Sequence, residues 1–116
     1  MKKTCIIVED DPGHQDIIKF YLSNIGNIEI LGLYEDTVNA VRQIEKQKPD
    51  IIFLDINISG LQGPEFLEFL EYQPQVIMVS SYPEEFMQDN FEIPYKAYLQ
   101  KPINEQKLRE AIDRTS

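Results

Sequence analysis

Short apolar runs alternate along the chain with segments of helical period. The first run, Cys5-Ile6-Ile7-Val8, is apolar at every position and ends in the acidic cluster Glu9-Asp10-Asp11. Such a run predicts a strand buried on both faces, as in a parallel sheet. After Pro12 and Gly13, the residues Ile17, Ile18, Tyr21, Leu22 and Ile25 recur at helical spacing, and Gly26 stops that helix. The pattern then repeats. Ile28 to Tyr34 predicts a second strand, and Asp36 or Thr37 caps a helix carrying Val38, Val41 and Ile44 that ends before Pro49. Ile51-Ile52-Phe53-Leu54 is a third buried strand and stops at Asp55. A loop from Gly60 to Gly63 leads into a helix with Phe66, Leu67 and Leu70. Val76 to Val79 predicts a fourth strand ending at Ser80 and Ser81, with a short helix following over Glu84 to Asn90. Tyr98 and Leu99 lie on a fifth strand that ends at Lys101-Pro102. The last helix runs from an Asn104 cap through Leu108, Ala111 and Ile112.

Five βα units joined by right-handed crossovers predict an α/β fold, a five-stranded parallel sheet with helices on both faces. The 116 residues are expected to form one domain, 1–116, and the 42% hydrophobic content suffices for a core without disulfides. Cys5 is the single cysteine, which fits a reducing, cytoplasmic setting. No apolar run approaches the ~20 residues of a membrane span, and no secretory pattern opens the sequence. Eleven basic against 20 acidic residues give a formal charge of −9, which argues against direct contact with nucleic acid.

Ligands of parallel α/β sheets bind beyond the carboxyl ends of the strands. Polar residues stand at that place after four strands: Glu9 and Asp10, Asp55, Ser80 and Lys101. With strand order 2-1-3-4-5 they converge on one crevice. Carboxylates about 5 Å apart at an effective dielectric near 20 repel by roughly 3 kcal/mol per pair. Raised pKa values or a cation would relieve that. Clustered hard oxygens suit Mg²⁺, and Lys101 adds a fixed positive charge beside them. These are the parts that phosphoryl transfer to Asp55 requires, with a hydroxyl at Ser80. Singly, each feature has a plain alternative: acidic residues after strands serve as helix caps or solvated turns, and Ser80-Ser81 can simply start a turn.

Together, the strings IIVEDD, PDIIFLDINISGLQG, VIMVSS and AYLQKP resemble the receiver domain of two-component response regulators over nearly the whole chain. The resemblance implies a flavodoxin-like (βα)5 fold with the order 2-1-3-4-5. It implies that Asp55 accepts phosphoryl from a sensor histidine kinase or a phosphotransfer protein. Glu9, Asp10, Asp55 and the main-chain carbonyl of Asn57 would hold Mg²⁺. Lys101 would contact the phosphoryl group, and Ser80 and Tyr98 would be the switch pair. The surface of the fourth helix, fifth strand and fifth helix would serve dimerisation or output docking. The only chemistry implied is the domain's own phosphorylation and autodephosphorylation, so it is not an enzyme in the wider sense. Residues 80–103 further resemble receivers joined to LytTR-type DNA-binding domains, which implies transcriptional control through a domain outside these residues. Two positions depart from the family pattern: Ile58-Ser59 replaces the usual Met-Pro before Gly60, and Ser81 replaces a small residue, often Ala. Tyr82 lies where the family tunes access of water to the acyl phosphate.

Other readings remain open on the residues alone. Asp55-Ile56-Asn57 superficially matches the nucleophile motif of haloacid-dehalogenase enzymes, which requires a second Asp at position 57. A flavodoxin-like cofactor binder would need a phosphate loop where Glu9-Asp10-Asp11 stands. A receiver that never takes phosphate and acts as an interaction module is the third. His14, the only histidine, is expected to face solvent, and Cys5 to be a small core residue. Tyr21, Phe66, Phe69 and Tyr72 are expected to pack, and Glu45 to Lys48 to form a solvated helix end.

Overall fold

The apolar runs pair as parallel strands because each is flanked by a segment too polar on one side to lie in the sheet. The computed structural model describes residues 2–55, 70–86 and 94–115. Its strands are β1 (Lys3–Val8), β2 (Ile28–Tyr34), β3 (Ile51–Asp55), β4 (Gln75–Ser80) and β5 (Ala97–Gln100). All four pairings are parallel, in the order β2-β1-β3-β4-β5. The helices are α1 (Pro12–Ile25), α2 (Thr37–Gln47) and, at the C-terminal end, α3 (Glu105–Asp113). The predicted helix with Phe66 and Leu67 lies outside the described residues, as do Phe69 and the Gly60 to Gly63 loop. The chain is helical at 84–86, where the predicted short helix begins.

Strand alternation divides the core in two. Cys5, Ile7, Ile51, Phe53, Ile77, Val79, Ala97 and Leu99 face one layer, where Ile18 and Leu22 of α1 meet Leu108, Ala111 and Ile112 of α3. Ile6, Val8, Ile52, Leu54, Val76 and Met78 face the other, covered by Ala40 and Ile44 of α2. Cys5 is a core residue, and burial pushes its thiol up to about 12. Tyr21 and Tyr72 pack against the two clusters, as expected. Among the described residues, no helix is long and apolar enough to cross a membrane.

Local signals set the helix ends. Asp11 accepts from Gly13 N at 2.9 Å with Pro12 in the first turn, so only three residues separate α1 from β1. Gly26, at φ 76°, closes it by donating to Leu22 O. Of the two candidate caps of α2, Asp36 is the one used, accepting from Asn39 N at 2.8 Å. Asn104 caps α3 by accepting from Lys107 N. Lys3 closes the other end of α3, donating to Thr115 Oγ1 at 2.7 Å and to the Ile112 and Thr115 carbonyls.

Two apolar residues depart from the predicted stripes. The buried stripe of α2 is Thr37, Ala40 and Ile44. Val38, about 100° round the helix from Thr37, therefore points outward and is 66% exposed. Ile17 sits beside rather than on the Ile18–Leu22 stripe and is also exposed. Glu45 is half-buried and accepts from Glu71 N, so only residues 46–48 of the expected solvated end are fully exposed. These placements set opposite outcomes for two truncations in one helix. Ile44→Ala removes fully buried methyls and is expected to cost about 2–5 kcal/mol, whereas Val38→Ala stays within about 0.5 kcal/mol, both read from urea denaturation.

Candidate functional site

The register builds the site. Val8 pairs with Leu54, Asp55 with Val79, and Ser80 with Gln100. Glu9 and Lys101 therefore each stand one residue past the last rung of their ladders, beside Asp55 and Ser80. Backbone bonds hold both overhangs: Glu9 N donates to Tyr34 O at 2.9 Å, and Lys101 N to Ser80 O at 2.7 Å. Alternation places Asp55 and Lys101 in the same parity as the α1/α3 layer, and Ser80 and Tyr98 in the parity of the α2 layer.

Three charges meet at the centre. Lys101 Nζ lies 3.0 Å from Glu9 Oε1 and 3.1 Å from Asp55 Oδ2. Both carboxylates are 1% exposed. Asp10 is exposed, but one of its oxygens falls within 4.8 Å of oxygens of Glu9 and Asp55. One ammonium thus serves two buried carboxylates with a third at the rim, and negative charge is left over. Burial, and then the neighbouring Asp55, push the Glu9 carboxyl up to about 8 despite Lys101. Burial alone would depress Lys101, but the Glu9 and Asp55 carboxylates outweigh it and hold the ammonium above its ordinary value.

The set of hard oxygens with excess negative charge fits a divalent cation. Glu9 Oε1 sharpens that fit. It is buried and ion-paired to Lys101, yet it is not in hydrogen-bond alignment with any group. Glu9 Oε2, by contrast, accepts from Asp11 N at 3.3 Å. Asn57 lies outside the described residues.

His14 departs from expectation. It is half-buried rather than solvent-facing, and its Nδ1 lies 3.9 Å from Glu9 Oε1 with no hydrogen-bond partner. Burial, and then the Lys101 charge, lower its pKa, so the imidazole is neutral near pH 7. Its position in the first turn after β1 was the available signal, because that turn packs against the strand ends.

The rim is aromatic. Ser80 is fully buried and its Oγ accepts from Tyr82 N at 2.9 Å, while the Tyr82 carbonyl accepts from the Tyr98 hydroxyl. The Tyr82 backbone therefore joins Ser80 to Tyr98, a link that sequence spacing does not reveal. The Tyr82 ring stacks on Phe86 at 4.7 Å, and both are partly exposed. Tyr98 also lies 6.0 Å from Tyr95, whose hydroxyl donates to Glu84 at 2.7 Å. Burial and the Glu84 and Glu85 charges raise the Tyr98 hydroxyl against the opposing effect of Ser80.

Fold and cleft define a doubly wound α/β domain with an acidic, lysine-bridged cluster at its strand carboxyl ends. The chain belongs to the response regulator receiver domain family, which residues 5–113 match. It is thus a receiver domain of two-component signalling. It is 30% identical over 115 residues to an uncharacterised response regulatory protein of Vibrio vulnificus, covering 97% of this chain and 47% of that one. It is likewise 30% identical over 111 residues to the transcriptional regulatory protein BtsR of Escherichia coli K12, covering 94% and 46%. The chain therefore spans about half the length of these relatives. Among solved structures, the receiver domain of a modulated diguanylate cyclase from Desulfovibrio desulfuricans G20 superposes with a TM-score of 0.86 at 26% identity, over 99% of this chain and 94% of that one. The receiver domain of a sensor histidine kinase from Pseudomonas aeruginosa PAO1, solved with magnesium coordinated in its active site cleft, gives 0.85 at 23% identity over 99% and 98%.

The Glu9 shift has a sign that can be checked. Glu9 holds its proton to about pH 8 folded, against an ordinary value of 4.5. Its contribution to stability is complete below about pH 4.5 and is lost as pH rises through about 8. With divalent cations chelated, wild type should lose urea stability relative to Glu9→Gln between about pH 5 and about pH 9. A constant difference across that range would contradict a buried carboxylic acid here.

Proposed function

We propose that residues 1–116 act as one phosphoacceptor unit in the cytoplasm, taking a phosphoryl group on Asp55 from a sensor histidine kinase or phosphotransfer protein. An Asp55 carboxylate oxygen forms the O–P bond as the phosphorus–nitrogen bond to the donor imidazole breaks, and hydrolysis later releases phosphate and restores Asp55. The observation that carries this reading is the buried Glu9–Lys101–Asp55 cluster, in which one cation answers two enclosed carboxylates. Phosphoryl transfer is mainly positioning and charge neutralisation, and such a cluster supplies both.

Glu9, Asp10 and Asp55, with the Asn57 carbonyl, would hold Mg²⁺. The magnesium in the cleft of the Pseudomonas receiver is in keeping with this assignment. When bound, Mg²⁺ supplies Lewis-acid neutralisation of the phosphoryl oxygens. Lys101, already between Asp55 Oδ2 at 3.1 Å and Glu9 Oε1 at 3.0 Å, exchanges Glu9 for a phosphoryl oxygen. Ser80 turns its hydroxyl toward the group, which releases the Tyr82 amide and so disturbs the carbonyl that holds Tyr98. The change would bias a two-state surface around the segment after β4, β5 and the last helix, where a second copy or an output domain docks. The regulatory names of the relatives, and their greater length, support a transcriptional output carried outside these residues. The net charge of −9 favours control through protein contacts rather than direct DNA contact.

Intact mass after incubation with acetyl phosphate tests the proposal. Wild type should gain one labile phosphoryl group with Mg²⁺ present and none with Mg²⁺ chelated, and Asp55→Asn should gain none in either case. Mg²⁺ binding without an adduct would instead favour a phosphate-independent interaction module. Tyr82→Ala, which opens the rim beside Ser80, should shorten the adduct's lifetime, read as loss of the added mass with time. An unchanged lifetime would remove the ring from any role in water access.

A further inference from the structure

The acidic turn after β1 is gripped from α1. Glu9 is 1% exposed, so its backbone carbonyl needs a donor inside the protein. The half-buried Gln15 supplies one: its Nε2 donates to Glu9 O at 2.6 Å. The backbone amide of the same residue donates to Asp11 O at 2.9 Å and closes the first turn of α1. Gln15 therefore holds the residues on both sides of Asp10, while Tyr34 O takes the Glu9 amide from β2. The two carboxylates on this turn, Glu9 and Asp10, each bring an oxygen within 4.8 Å of the other and of an Asp55 oxygen. Carboxylates so close repel, and a turn without these bonds would let Glu9 and Asp10 swing apart. Glutamine suits the place because its amide donates a hydrogen bond without bringing charge into the cleft.

We propose that Gln15 is a positioning residue for the cation site, fixing the Glu9 and Asp11 carbonyls so that Glu9 and Asp10 present their carboxylates at a spacing one cation can share. The inference rests on the metal site proposed above and names a residue outside the ligand set that shapes it. Groups that orient ligands in this way, without touching the ion, typically carry a ten-fold or larger share of metal affinity.

Mg²⁺ binding measured by calorimetry, with no phosphodonor present, tests this in Gln15→Met, which keeps the length of the side chain and removes the donor. Mg²⁺ affinity should fall on the order of ten-fold while the circular dichroism spectrum stays that of wild type. In ¹³C-labelled protein free of divalent ions, the Glu9 carbonyl resonance should already have moved, which ties the loss to this bond. Gln15→Asn keeps the amide on an arm one methylene shorter, and should lose both the Glu9 contact and the affinity. A folded Gln15→Met with wild-type Mg²⁺ affinity, an unmoved Glu9 carbonyl, or a Gln15→Asn variant that binds as wild type does would each overturn the proposal while leaving the Mg²⁺ site standing. So would a loss of urea stability alone, which is what a merely structural role predicts. Failure of wild type to bind Mg²⁺ would overturn the metal site as well.

Discussion

The arrangement depends on the ammonium of Lys101, held between two carboxylates that water does not reach. Removing a carboxylate from water costs several kcal/mol even after relaxation, and Glu9 and Asp55 share a single counter-charge. An apolar trio of the same volume would serve stability at least as well. On the proposed reading the cluster is kept for what it can bind, and its excess negative charge is reflected in the raised pKa of Glu9. Such a cluster needs a rigid support, and here it is the three central strands, whose apolar stretches Cys5–Val8, Ile51–Leu54 and Val76–Val79 are buried.

On the proposed reading, the same sheet separates chemistry from readout. Asp55 and Lys101 follow the parity of the α1/α3 layer, and Ser80 and Tyr98 follow that of the α2 layer. The Tyr82 backbone lies on the second side, with its amide on Ser80 and its carbonyl on Tyr98. A change of partner at Ser80 thus has a short, defined route to an aromatic group at the surface. Its parts are one peptide segment and two hydroxyls. The route is a physical connection, and its coupling energy is a separate quantity.

The strand-end site was legible because it follows from two simple signals. Runs apolar on both faces mark central strands, and the first polar residue after each run marks the crevice, so Glu9, Asp55, Ser80 and Lys101 could be placed without any knowledge of side-chain geometry. Caps were equally local, as Asp36 and Asn104 illustrate. Stripe membership was less so: Val38 fits a helical pattern but misses the buried stripe by one residue, since burial is decided by which face α2 turns to the sheet. His14 was misjudged for the opposite reason. Polarity suggests solvent, but the first turn of α1 is pressed against the strand ends, and polarity says nothing of that proximity. The Tyr82 link was illegible because it is made by backbone atoms, which every residue carries.

Charge balance also explains why the phosphoryl group and the cation belong together on the proposed reading. A phosphoryl group brings close to two further negative charges into a cleft already holding Glu9, Asp10 and Asp55. Lys101 cannot answer all of these, because it is already divided between two carboxylates at 3.0 and 3.1 Å. Without a divalent ion, the added group would be repelled from Asp55, or Glu9 would have to keep its proton and withdraw as a ligand. With an ion held by Glu9, Asp10 and Asp55, Glu9 would give up that proton, and Lys101 would be free to leave it for the phosphoryl oxygens. The length of Glu9 matters in this exchange. Its carboxylate spans from the Asp11 amide at 3.3 Å to Lys101 and His14 on the other oxygen, so a shift of one side chain redistributes charge across the whole cleft.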